Sequence, residues 1–392
     1  MIKLSLVVLV GGKGTRLKKI SKGIPKPLIK INNKTFLDNI LNHYSKYNFN
    51  KIYLMSGYKN ELFNKYDNKI INSIKIKLFK EKKPLGTAGS LFLLKKKIKN
   101  DFILINGDTY FDFDLKKFLN RINKKHMAHI ALKKNTNYFS NKKLSNLTLD
   151  KNKSIIHSDN SKLMNGGAIF FKQKILKMVD SKHSSLEENL LPKLIKKKLV
   201  GGSIYKNFFI DIGIPKNFYF AEKNLKKILY KKAIFLDRDG VVNYDYGYVH
   251  KFEKFKFRPG VIKALKYLRK NNYYIFIVTN QAGIGKGKFT LNQYINLNFK
   301  IKEFLSKKNI FLDAVEFCPH HQNAKILKYK KKSNFRKPGN LMIEKILKRW
   351  FIKRKHSIMI GDKKTDFLAA KKSKISFFYV ENNLYNQLRK II

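Results

Sequence analysis

One cysteine, Cys318, occurs in 392 residues. That excludes an intrachain disulfide and any metal cage built from several thiolates, and it suits a reducing cytoplasm. Acidic side chains are scarce: 26 Asp and Glu stand against 85 Lys and Arg, for a formal net charge of +59. No apolar run approaches the roughly 20 residues that a membrane-crossing helix needs. The apolar start Leu4–Val10 follows Lys3, as in a secretory leader, but Gly11-Gly12-Lys13-Gly14-Thr15-Arg16 comes next instead of a small-residue cleavage site. The segment therefore reads as a buried first strand. Internal repeats are also lacking.

A surplus of cations on this scale suggests nucleic acid or an anionic membrane. Here the lysines are spread along the chain and not gathered in a tail or helix, and Lys, Asn, Ile, Phe and Tyr are abundant together, as an AT-rich genome would produce. The expected use of the charge is attraction of small phosphorylated molecules, with neither nucleic acid nor membrane as a partner. The content of 43% hydrophobic and 13% aromatic residues supports packed cores, and the length supports two domains.

Short apolar runs alternate with helical patterns: Leu4–Val10, Ile52–Ser56, Phe102–Asn106, Ala233–Leu236, Tyr274–Val278 and Ser357–Ile360. The alternation predicts an α/β chain of two doubly wound, mostly parallel sheets with sites at the carboxyl ends of the strands. The Lys-rich stretch Ala221–Lys232 separates two different motif sets, giving domains 1–228 and 229–392.

In the first half, the strand ending at Val10 runs into Gly11, Gly12, Gly14, Thr15 and Arg16. The glycines let backbone N–H groups approach a triphosphate, and Arg16 can bind phosphate oxygens bidentately. Pro25-Lys26-Pro27 presents Lys26 as a fixed charge. This spaced set resembles the sugar-1-phosphate nucleotidyltransferases, with their Rossmann-like fold. The resemblance continues through Pro84-Leu85-Gly86-Thr87-Ala88-Gly89, Asn106-Gly107-Asp108, Asn165-Gly166-Gly167, Ser185-Leu186-Glu187 and Phe209-Ile210-Asp211. It implies that Gly86 and Thr87 contact the base, Asn165, Gly166 and Glu187 the sugar, and that Asp108 and Asp211 hold Mg²⁺. Arg16 and Lys26 would neutralise charge as a sugar phosphate attacks the α-phosphorus. Glu81 could accept hydrogen bonds from the N1–H and amino group of guanine, and within the family the heptose-1-phosphate guanylyltransferases are the most similar.

In the second half, Phe235-Leu236-Asp237-Arg238-Asp239, then Thr279-Asn280, Arg336-Lys337-Pro338 and Gly361-Asp362-Lys363-Lys364-Thr365-Asp366 follow in order. This series resembles the haloacid-dehalogenase-like phosphatases. Asp237 would attack phosphorus, and Asp239 would protonate the leaving oxygen and later activate water. Thr279, Asn280 and Lys337 would hold the phosphate and its sugar. Mg²⁺ would sit on Asp237 and Asp362 with the Asp239 carbonyl, and Asp366 would orient its neighbours. The short gap between Asp239 and Thr279 leaves no room for a separate cap domain.

Closer resemblance is to the heptose bisphosphate and histidinol phosphatases, which implies that Arg336 meets a second phosphate. Those enzymes hold a structural zinc on Cys-x-His and Cys-x-Cys. Cys318 and His320 remain here, but Ser333 and Phe335 stand in the second pair, so no zinc is expected. The loop would then rest on packing by Phe317, Ile326, Leu327 and Phe335. Together the halves imply that a heptose bisphosphate loses one phosphate and is then coupled to GMP. The alternatives are another base, one inactive half, or a nucleic-acid-binding protein; oligomeric state is left open.

Overall fold

The computed structural model describes residues 4–134, 146–158 and 160–392. Lys3 lies outside them. The chain forms two compact units: Met1–Leu41, Phe49–Ile70 and Ile74–Leu225 make one, and Asn42–Asn48, Ile71–Ser73 and Lys226–Ile392 the other. The stretch Ala221–Lys232 is helical for most of its length, because the helix Pro215–Leu229 runs through it, and the division between units falls inside that helix.

In the first unit, Ser5–Leu9 is a strand buried along nearly its whole length. A strand flanked on both sides and covered on both faces needs a continuous apolar run, and Ser-Leu-Val-Val-Leu supplies it. Phe102–Asn106 and Lys51–Ser56 pair with it in parallel, and Ile74–Lys80 adds a further parallel strand beyond Lys51–Ser56. Past Phe102–Asn106 the sheet becomes mixed. Leu163–Phe171 runs antiparallel to it, and Ala128–Lys134 antiparallel to Leu163–Phe171. The register sets Leu9 level with Met55 and Asn106. The segments that leave those three positions therefore emerge at one edge. A small antiparallel pair, Thr109–Phe111 with Phe209–Asp211, opposes Thr109 to Asp211 and so brings Asp211 beside Asp108.

The second unit is a five-stranded, wholly parallel sheet in the order Ala314–Cys318, Tyr274–Asn280, Ala233–Leu236, Ile358–Gly361, Ser376–Tyr379. Successive strand residues point to opposite faces. Ile234, Leu236, Ile275 and Ile277 accordingly pack on one side with residues of the helices Val261–Lys270, Leu291–Lys307 and Leu384–Ile391. Ala233, Phe235, Tyr274 and Phe276 pack on the other with Leu341–Arg349 and Lys364–Lys372. Both faces are covered, as expected of a doubly wound sheet. Asp237 directly follows its central strand.

Candidate active sites

The level strand ends of the first unit open onto a cavity of about 470 Å³. Gly11, Gly12, Arg16, Lys26, Asp108 and Asp211 line one part of it. Gly14 and Thr15 are not at its wall. Gly14 caps the turn Thr15–Leu17 at φ 66°, and a methyl on it would meet Lys26 Cγ at 2.9 Å. The glycine thus lets the lysine stem lie against the loop. Lys26 Nζ stands 3.2 Å from Asp108 Oδ2. The Gly213 N–H donates to Asp211 Oδ1 at 2.5 Å, and a methyl on Gly213 would lie 3.4 Å from Lys26 Nζ and 3.6 Å from Arg16 Nη2. Acids and cations therefore converge on one point. Loss of water, and then the charge of Asp108, push the Asp211 carboxyl up to about 7, with Lys26 and Arg16 opposing. A buried carboxyl raised by the charge of a second one beside it suits a divalent cation between the two.

The rest of the cavity is lined by Glu81, Gly86, Thr87, Asn165, Gly167 and Glu187, with His183 beside them. Glu81 Oε2 accepts the Leu85 N–H at 3.1 Å, and burial raises its pKa. Thr87 Oγ1 donates to Glu187 Oε2 at 3.0 Å and accepts the Leu186 N–H at 2.8 Å, which ties the Gly86 loop to the acidic turn. Asn165 Oδ1 accepts the Gly167 N–H at 2.9 Å. Gly166 faces away from the cavity: a methyl there would lie 2.5 Å from the Phe111 ring.

In the second unit, Asp237, Lys337 and Asp366 form a buried ion cluster. Lys337 Nζ lies 2.9 Å from Asp237 Oδ1 and 2.6 Å from Asp366 Oδ1, and it donates to the Val278 carbonyl at 2.9 Å. Burial works against this ammonium, but the two carboxylates outweigh it and hold its pKa above the usual lysine value. Burial pushes Asp237 up to about 6 against the pull of Lys337. Oxygens of Asp237, Asp362 and Asp366 lie within 4.8 Å of one another, and buried Asp362 Oδ1 has no hydrogen-bond partner among the described residues. A hard cation fits that donor set. The Asp239 carboxylate stands outside it, on the Arg238 guanidinium at 2.8 Å.

Thr279 Oγ1 accepts from Gln281 Nε2 at 2.9 Å. Asn280 spends both ends of its amide on the Lys337 backbone, each at 3.0 Å, and so braces the lysine loop against the strand end. Arg336 is half-buried beside Cys318 and Tyr248. Cys318 Sγ lies 3.7 Å from His320 Nδ1. Ser333 is the next side chain at the thiol and Phe335 packs into the core, so the donors there do not make up a zinc tetrahedron. The expected packing of that loop needs correction: Ile326 and Leu327 are exposed, Leu327 by 84%. Backbone bonds from His321 to Tyr329, Ile326 to Gly285 and Arg336 to Ser333 tie it instead. Arg238, Asn243, Gln281 and His183 were not singled out from the sequence. The polar run Arg238-Asp239 beside the nucleophile was the available signal for the first.

Residues 5–228 match the nucleotidyl transferase family, and residues 306–380 match the haloacid dehalogenase-like hydrolases. The chain is 43% identical over 144 residues to the D-glycero-beta-D-manno-heptose-1,7-bisphosphate 7-phosphatase of Haemophilus influenzae, covering 37% of this chain and 78% of that protein. It is 34% identical over 215 residues to the D-glycero-alpha-D-manno-heptose 1-phosphate guanylyltransferase of Campylobacter jejuni, covering 54% of this chain and 96% of that protein. The structure of an inositol-1-phosphate CTP transferase from T. maritima covers 58% of this chain and 98% of its own at a TM-score of 0.50; at 18% identity it is similar in fold alone.

Proposed function

Because the chain belongs to the nucleotidyl transferase family through its first unit and to the haloacid dehalogenase-like hydrolases through its second, we propose that it performs two consecutive steps toward a GDP-heptose. The second unit removes the 7-phosphate of heptose 1,7-bisphosphate. The first couples the resulting heptose 1-phosphate to GTP and releases pyrophosphate. The observation that carries this reading is that each unit holds its own set of acids and cations, one around Asp108 and Asp211 and one around Asp237 and Asp362. The product expected of one is the substrate expected of the other.

In the phosphatase reaction an Asp237 oxygen bonds to phosphorus as the bond to the sugar oxygen breaks, and Asp239 gives that oxygen its proton. Water then attacks the aspartyl phosphate while Asp239 takes a proton from it, releasing phosphate and restoring Asp237. Lys337 holds a phosphate oxygen and keeps Asp237 ionised. In the transferase reaction a sugar-phosphate oxygen attacks the α-phosphorus in line with departing pyrophosphate. Arg16 and Lys26 meet the charge that develops. Glu81 selects the base, and Thr87 and Glu187 set the sugar pocket. Magnesium on Asp108 and Asp211, and on Asp237 and Asp362, would supply charge neutralisation at each centre.

Hydrolysis at carbon 7 leaves carbon 1 untouched, so both units must accept one anomer. The guanylyltransferase relative is named for the α form and the phosphatase relative for the β form; carbon 1 takes part only in the coupling step, so the relay is expected to run on the α anomer. The test incubates the full chain with Mg²⁺, α- or β-heptose 1,7-bisphosphate and one nucleoside triphosphate. Expected products are phosphate, then pyrophosphate and a GDP-sugar, from the α anomer with GTP. Pyrophosphate without prior phosphate, or a UDP-sugar made in preference, would overturn the order or the base.

A further inference from the structure

We propose that Arg238 is a positioning residue for the phosphatase reaction: a buried guanidinium clamp that seats the Asp239 carboxylate between its proton transfers. The proposal rests on the reading of Asp239 as the acid and base of that reaction. Arg238 is a long cationic side chain exposed by only 1%. A buried cation is tolerated only when paired and hydrogen-bonded. Its pairing is with the neighbouring residue. Nη2 donates to both Asp239 oxygens at 2.9 and 2.8 Å, and Nε reaches both at 3.2 Å.

Two neutral donors complete the seat. Asn243 Nδ2 donates to Asp239 Oδ1 at 3.0 Å, and Gln281 Nε2 to Oδ2 at 2.8 Å. An ionised carboxylate offers about four acceptor sites, and these donors fill them. In this seat Asp239 has no lone pair left for a proton or a water. The acid–base role therefore requires the carboxylate to leave the clamp for the substrate oxygen, and to return.

The clamp itself is fixed. Nη2 also donates to the Val249 carbonyl at 2.9 Å, and the guanidinium carbon lies 5.6 Å from the Tyr294 ring centre, in cation–π range. Tyr294 is fully buried and packs on Phe317 at 4.5 Å. Asn243 is anchored through its second bond, to the Tyr244 carbonyl, and Gln281 through Thr279. The guanidinium can thus stay still while the short aspartate arm moves. Arg238 touches neither phosphorus nor leaving oxygen, and its effect passes through Asp239.

The test uses the full chain with Mg²⁺ and 4-nitrophenyl phosphate, whose phenolate departs without a proton, beside heptose 1,7-bisphosphate. In Arg238→Gln the first turnover should still release close to one nitrophenolate per site in a burst, because attack by Asp237 needs no acid. The following steady state should slow more than tenfold, because hydrolysis of the aspartyl phosphate needs Asp239 as its base, and without the clamp that carboxylate no longer starts from and returns to a fixed position; general acid–base catalysis contributes roughly 10²–10⁴-fold. With the bisphosphate, kcat should fall at least as far with KM within about threefold. Asp239→Asn should show the same pattern, and adding Arg238→Gln to it should cost less than a further twofold.

Arg238→Lys keeps the buried cation without the fork, and it should fold and show the same pattern at smaller size. Loss of the burst together with turnover in both Arg238 variants, or additive losses in the double variant, would make the residue merely structural and overturn the clamp. Full turnover in Arg238→Gln with a slow Asp239→Asn would overturn the clamp alone. Full turnover in Asp239→Asn would overturn the acid–base reading, and the clamp with it.

Discussion

Gly14 and Glu81 show how single residues govern the first cavity. Gly14 combines a left-handed φ of 66° with a space already taken by Lys26. Gly14→Ala adds backbone strain of roughly 1–2 kcal/mol and pushes Lys26 off its line toward Asp108. Nucleotidyl transfer should fall tenfold or more, with phosphate release by the second unit as an internal control; an unchanged kcat/KM for GTP would show that Lys26 does not need that space. Glu81 already gives one oxygen to the Leu85 N–H. In Glu81→Gln an amide NH₂ is set against guanine's donors. The loss of a charge-assisted hydrogen bond is worth roughly 1.5–3 kcal/mol, about tenfold to over a hundredfold. GTP use should suffer more than UTP use, and a constant ratio of the two rates would remove Glu81 as the base reader.

Among the elements, the paired strands Ala128–Lys134 and Val200–Ile204 carry a pH dependence unconnected with catalysis. His129 is buried, with Nε2 on Ser203 Oγ at 2.8 Å, and His126 Nε2 meets Ser154 Oγ at 3.0 Å. Burial, then the charges of His126 and Arg121, lower the His129 pKa to about 4. His126 is lowered too, mainly by burial and by Lys172, with Asp150 opposing. An imidazole held neutral in the fold binds fewer protons than in the unfolded chain. The stability is therefore complete above pH 6.5 and is lost as pH falls from 6.5 toward 4. At pH 5 the loss from His129 is about 2 kcal/mol. Calorimetry should find the unfolding midpoint of the first unit dropping between pH 7 and 5. His129→Gln should start lower at pH 7.5 but fall less steeply, and an equal slope would rule His129 out as the cause.

At the scale of the whole molecule, two sets of reactive groups sit in two units with separate cores. Asp237→Asn should abolish phosphate release and leave pyrophosphate release from added heptose 1-phosphate in place. Asp108→Asn should do the reverse. Each change removes a charge at nearly constant volume, so loss of both activities from either variant would point to one shared centre. The net charge of +59 belongs to this scale as well. Its field concentrates anionic substrates at short range and is screened within about 10 Å at 0.1 M salt.

Pattern and spacing along the chain were enough for the strands, because a strand covered on both faces must be a continuous apolar run, as at Ala233–Leu236 and Phe102–Asn106. They were enough also for acids at strand ends, since Asp237 and Asp362 stand directly after buried strands and Asp108 follows its own after one intervening residue. Folding alone decided what each group meets. Asp211 comes beside Asp108 only through the antiparallel pairing of Thr109 with Asp211 across about a hundred residues of chain. Gly166 and Gly167, adjacent in sequence, face a phenyl ring and the cavity respectively. Ile326 and Leu327, apolar in sequence, are left in water because backbone bonds tie their loop. Arg238 reads in sequence as one more cation among 85. Its burial against Tyr294 and its hold on Asp239 exist only once the strands are in register, because close contact between side chains depends on distance in space and not on separation along the chain.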